Sequence, residues 1–128
     1  MDKNAIFEYV TQHENQLNQL VLRLNQYETN IQFSVIEGEV SVRVNDQNIM
    51  EALSSDAELL KIVRELLVNH PMIKIVKRKF QTQDDFIYYI DFPVFSNGKV
   101  SNVIYSETGK KEGEVIVGNW RYKEFYGV

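Results

Sequence analysis

Residues 31–44 read Ile-Gln-Phe-Ser-Val-Ile-Glu-Gly-Glu-Val-Ser-Val-Arg-Val. Ile31, Phe33 and Val35 alternate with Gln32 and Ser34, and Val40, Val42 and Val44 alternate with Ser41 and Arg43. Successive side chains of a strand point to opposite faces, so this spacing predicts a β-hairpin with one apolar face and one mainly polar face. Gly38-Glu39 supplies a two-residue turn of the type with glycine first, which sets Val35 opposite Val42 and Phe33 opposite Val44. Such a hairpin belongs to an antiparallel sheet covered on one side only.

The cover is legible on both flanks. Upstream, Ile6, Val10, His13, Leu17, Leu20, Leu24 and Tyr27 recur at spacings of four and three, which predicts one helix of roughly 25 residues from Asp2 or Asn4 to about Tyr27. Thr29-Asn30 breaks the pattern. A helix of that length overhangs a small domain, and its seam residues Leu17 and Leu24 are candidates for contact with a second chain. Its flanks are mostly neutral amides (Gln12, Asn15, Gln16, Asn18, Gln19, Asn25 and Gln26) rather than opposed charges, which favours packing on the chain's own sheet over self-association. Downstream, Ser55-Asp56-Ala57-Glu58 has capping-box spacing directly before Leu59, Ile62, Val63, Leu66 and Leu67. This is a second helix, ended by Asn69 and Pro71, with a short helical turn around residues 48–53 before it.

The remainder is strand-rich. Residues 72–80 and 86–95 read as strands joined by a polar turn at 81–85, and Asn97-Gly98 is the strongest hairpin signal in the chain. It leads to a strand at 100–107, and a last strand at 114–122 follows a loop at 108–113. A turn on Asn97-Gly98 sets Phe95 opposite Val100, Phe92 opposite Val103 and Ile90 opposite Tyr105. Ile90, Phe92 and Tyr105 then share one face, and Ile87, Tyr89, Phe95 and Ile104 the other. If the helices cover one face, the second is an aromatic patch of the kind that binds partners. The order α-β-β-α-β-β-β-β predicts a single α+β domain over residues 1–128. It has an antiparallel sheet of about six strands, with a long N-terminal helix and a second helix mainly on one face.

With 128 residues, 44% of them hydrophobic, the chain can fill one core but not two. There is no cysteine, which excludes disulfides and thiolate chemistry. Met1-Asp2-Lys3-Asn4 opens no signal-like segment, and no apolar run approaches a membrane span, so a cytoplasmic chain without membrane association is expected. The net charge of −4 is unevenly spread: residues 1–69 hold eleven acids against five bases, residues 70–128 seven against nine. Such a dipole steers charged partners.

Chemistry is sparse. His13 and His70 are the only histidines, and neither has the ligand spacing of a zinc site, so no metal is expected. His13 sits in the helix seam, where it sets register or finds a local partner, and His70 supports the last carbonyls of the second helix. None of the six glycines forms a phosphate-cradling loop, and no nucleophile elbow is present. Asp84, Asp85 and Asp91 are acid–base candidates, two of them in a predicted turn. No cofactor and no catalytic residue is assigned, which favours a non-enzymatic protein.

Lys74, Lys77, Arg78 and Lys79, with Phe80, Tyr88 and Tyr89 nearby, resemble a single-stranded nucleic-acid surface. Strand alternation splits those bases between two faces and the chain is acidic overall, so nucleic acid is disfavoured as a partner. The tail holds Trp120, Tyr122, Phe125 and Tyr126. Alternation sends Trp120 and Tyr122 into the sheet with Ile116 and leaves Phe125 and Tyr126 beyond the periodic run as the better contact candidates. The leading functional expectation is a protein-binding module, of inhibitor, immunity or regulatory type, whose partner is another protein or a second copy. Its candidate contacts are Phe125, Tyr126, Trp120, Tyr89, Phe95, Leu17 and Leu24. The first alternative is a small-ligand or enzymatic pocket between sheet and first helix, lined by Tyr88, Tyr105, Trp120 and His13. The second is nucleic-acid binding through residues 74–79.

Overall fold

The structure, a computed structural model, describes residues 2–79, 85–93, 98–106 and 113–126, with the side chains of Phe125 and Tyr126 outside the description. The chain is α+β: α1 (Lys3–Gln12), α2 (Glu14–Leu24), β1 (Ile31–Ile36), β2 (Glu39–Arg43), α3 (Gln47–Ser54), α4 (Ala57–Leu67), β3 (Lys74–Arg78), β4 (Ile87–Asp91), β5 (Lys99–Tyr105), β6 (Glu114–Val117) and β7 (Trp120–Tyr126). One antiparallel sheet runs in the order β2-β1-β3-β4-β5-β7-β6. It has seven strands against the six expected, because the single strand read at 114–122 is a hairpin. Val117 pairs with Trp120, so Gly118-Asn119 forms its turn, with Gly118 at φ +54°. Gly-Asn is itself a two-residue hairpin signal.

The expected long helix is broken at His13, whose φ of −110° and ψ of 15° leave the helical region. His13 Nδ1 lies 2.8 Å from the Tyr9 carbonyl oxygen, and its ring packs on Tyr9 at 4.6 Å between centroids. His13 thus has the local partner foreseen for it. Asp2 caps α1 by accepting from the Ala5 amide at 2.8 Å. The overhang does not occur. The broken helix instead runs across the sheet from its β6–β7 edge to β3, and α3 and α4 cover β1 and β2. Phe7 meets Tyr122 of β7 at one end, and Leu24 and Asn25 reach Lys77 of β3 and Tyr88 of β4 at the other. Ile6, Val10, Leu17, Leu20 and Leu24 are all buried.

Asp56, rather than Ser55, caps α4 by accepting from the Leu59 amide at 3.1 Å. Ser55 instead ends α3, a full helix where a turn was expected, capped by Asp46 at the Ile49 amide. Leu59, Ile62, Val63, Leu66 and Leu67 bury one face of α4 against the sheet and α2. Each such side chain contributes about 1.5–3 kcal/mol relative to exposure. His70 closes the helix end through its backbone, its N–H donating to Leu67 O at 2.9 Å, rather than through its side chain.

Both hairpin registers differ from the expected ones by two residues. Val35 pairs with Val40 and Phe33 with Val42, so Glu37-Gly38 forms the turn, at φ +52° and +78°. That turn leaves Val44 and Asn45 free to lead into the Asp46 cap. Ile90 pairs with Val103, not Tyr105, and Phe92 N–H donates to Ser101 O. Because side chains repeat every two residues, a two-residue slip leaves the faces as expected. Ile90, Phe92 and Val103 are buried, while Ile87, Tyr89 and Ile104 lie opposite and partly exposed. Phe95, Asn97, the 81–84 part of the expected turn and the 107–112 region lie outside the described residues.

Candidate functional site

All four helices pack on one face of the sheet, and no described element covers the other, the open face. The open face follows from the register. One row of cross-strand neighbours runs Arg43, Gln32, Val76, Tyr89, Ile104, Arg121 and Val115 from edge to edge. A parallel row runs Lys74, Asp91, Asn102 and Lys123. Arg78 and Ile87 form a third. The strands therefore present Arg43, Lys74, Arg78, Arg121 and Lys123 on this face against Glu39 and Asp91, an excess of bases in a chain of net charge −4. Val76 is only 6% exposed, whereas Tyr89, Ile87 and Ile104 remain partly accessible.

At the β2 end of the face lies a groove of about 360 Å³, lined by Asn30, Gln32, Arg43, Asn45, Arg78 and Tyr89 among others. Its described lining holds no acidic side chain. β1 is its floor: Arg43 stands on β2 directly across from Gln32, and Arg78 stands on β3 on the opposite flank. Asn30 holds one wall, its Oδ1 accepting from the Lys79 amide at 2.9 Å. At the centre of the face, Asn102, with its amide oriented to satisfy both partners, donates to Asp91 Oδ1 at 2.6 Å and Ser101 O at 3.0 Å. Burial raises the Asp91 pKa above the usual carboxylate value, and Lys74 opposes that rise.

The structure separates the sequence candidates. Tyr89 lies on the open face beside the groove. Leu17, Leu24 and Trp120, expected at a partner surface, are core residues at no more than 2% exposure. The sheet is wide enough to consume the helix seam, and the indole of Trp120 donates to Asn18 Oδ1 at 2.8 Å. Phe125 and Tyr126 pair with Val100 and Lys99 as part of β7, not beyond it. Phe95 lies outside the described residues.

The basic cluster divides as alternation predicts, with one difference in kind. Lys77 is 2% exposed, and its ammonium donates to the carbonyl oxygens of Leu24 and Tyr27. It satisfies the end of α2, over the Phe86 and Tyr88 rings at 4.7 and 5.7 Å. Burial lowers its pKa, against the pull of Glu28. A buried lysine among alternating bases has no distinguishing sequence signal. The side chains proposed for an interior pocket are likewise engaged in packing: Tyr88 donates to Asn25 Oδ1, and Tyr105 sits 5.0 Å from the Trp120 ring.

A second polar cluster lies under the helices. Tyr9 is flanked by His13 and by His70, whose ring is 5.0 Å away and edge-on, and its hydroxyl donates to Leu66 O at 2.7 Å. Burial raises the Tyr9 pKa, and burial followed by the charge of His13 lowers that of His70. Among the described residues, no three His, Asp or Glu side chains converge to hold a metal, and no helix is long and apolar enough to cross a membrane. Comparison with family models, with curated proteins and with solved structures finds no match to this chain.

Proposed function

We propose that this chain is a non-enzymatic protein-binding module, of inhibitor, immunity or regulatory type, that engages its partner through the open face of the sheet. One observation carries this: all four helices lie on one face, and the other, which no described element covers, combines a partly exposed Ile87-Tyr89-Ile104 patch with a surround of bases. Partly accessible aromatic and aliphatic side chains ringed by charge are the composition of a docking surface. The polar groups beneath the helices are engaged in packing, capping and ion pairs instead. The partner is another protein or a second copy of the chain, and the helix seam takes no part in the contact.

The test compares wild type with a Tyr89→Ala, Ile104→Ser variant in affinity capture from the source organism and in light scattering after gel filtration. The expected result is one protein retained by wild type, or a wild-type dimer, lost in the variant while its melting temperature is kept. Equal capture and equal mass for the two proteins would remove the open face from the proposal.

A further inference from the structure

We infer that the groove over β1 is an anion-binding site that seats carboxylates of an acidic, extended peptide segment, with Arg43 and Arg78 as paired anchors. This rests on the open-face reading above and adds the chemistry of the partner. β2 and β3 flank β1, so the two arginine backbones stand about 10 Å apart across it, offset along the strands by about two residues. Their long side chains can converge on acidic groups carried over Gln32. Guanidinium is suited to this task, because its planar fork binds a carboxylate through two parallel N–H donors.

The rest of the lining fits the same occupant. Asn30, Gln32 and Asn45 offer amides of the kind that pair with a peptide backbone, and Tyr89 offers a ring for an adjacent side chain. No acid in the described lining repels a carboxylate. A single-stranded nucleic acid is less well served. It needs a continuous basic track with successive stacking rings, whereas Lys77 is withdrawn into the core and Asp91 interrupts the row between Lys74 and Lys123. The described groove has one aromatic residue, Tyr89.

The experiment is fluorescence anisotropy with a labelled short peptide rich in Asp and Glu and carrying one Tyr, against the same peptide with Asn and Gln, and against a single-stranded oligonucleotide. Wild type should bind the acidic peptide saturably, more weakly as salt rises, and the amide peptide at least tenfold more weakly. Arg43→Gln and Arg78→Gln should each weaken the acidic peptide by about tenfold. Nuclear magnetic resonance of the wild-type protein, which needs no variant to fold, should show the side-chain amides of Asn30, Gln32 and Asn45 shifting on titration. No saturable binding, equal affinity for the amide peptide, indifference to both substitutions, or shifts gathered elsewhere would each overturn the inference. So would tighter, arginine-dependent binding of the oligonucleotide. If the peptide fails while partner capture still depends on Tyr89 and Ile104, the acidic segment falls and the open face stands.

Discussion

Two neighbouring rows of the same sheet have opposite fates. Val42, Phe33, Ile75, Ile90, Val103 and Tyr122 run across the covered face, and the last five are buried. One residue further along each strand, Arg43, Gln32, Val76, Tyr89, Ile104 and Arg121 run across the open face with an arginine near each end. The backbone is shared and only side-chain direction differs. Stability and recognition are therefore interleaved along every strand, and substitutions one residue apart are expected to fail in different ways.

The largest effect belongs to the covered face. Trp120→Ala should cost about 3–5 kcal/mol in urea unfolding, because it empties a large buried volume and strands Asn18; a cost under 1 kcal/mol would break the distinction between faces. Lys77→Ala should cost roughly 2 kcal/mol by exposing unpaired carbonyls at the end of α2. Lys74→Ala, on the same strand but the open face, should stay within about 0.5 kcal/mol.

Acid should weaken the covered side further. The His70 pKa is lowered in the folded chain, so the unfolded chain takes up its proton first. Stability from this group is intact above about pH 6.5, its unfolded value, and declines as pH falls below it until the folded group also protonates. Chemical denaturation at a series of pH values should show that decline flattened in His70→Gln. A similarly small stability effect, within about 0.5 kcal/mol, is expected of Tyr89→Ala, although this substitution together with Ile104→Ser should abolish partner capture.

The faces of the strands were readable because alternation has a period of two, and both hairpins slipped by that period without exchanging sides. Register was less legible. Glu37 adopts the left-handed conformation at φ +52°, a choice of turn made together with the Asp46 cap seven residues beyond Glu39. The break at His13 leaves heptad spacing intact, since the seam continues through it on one side, and so a bent helix and a straight one share the same periodicity. Of the candidate site, Tyr89 was visible as a hairpin residue on the second face. Arg43, Gln32 and Asn45 were not, because their convergence with Arg78 depends on β1 pairing with β3 across two intervening helices.

That β1–β3 pairing joins Ile31, Gln32 and Phe33 to Lys77, Val76 and Ile75, the shortest ladder in the interior of the sheet, and among the described residues it is the sole hydrogen-bonded seam between the N-terminal hairpin and the C-terminal strands. The groove straddles it. A bound molecule gripping both banks would act as a clasp, so that occupancy should be felt as slowed amide deuteration along this ladder, including at backbone positions the visitor never touches.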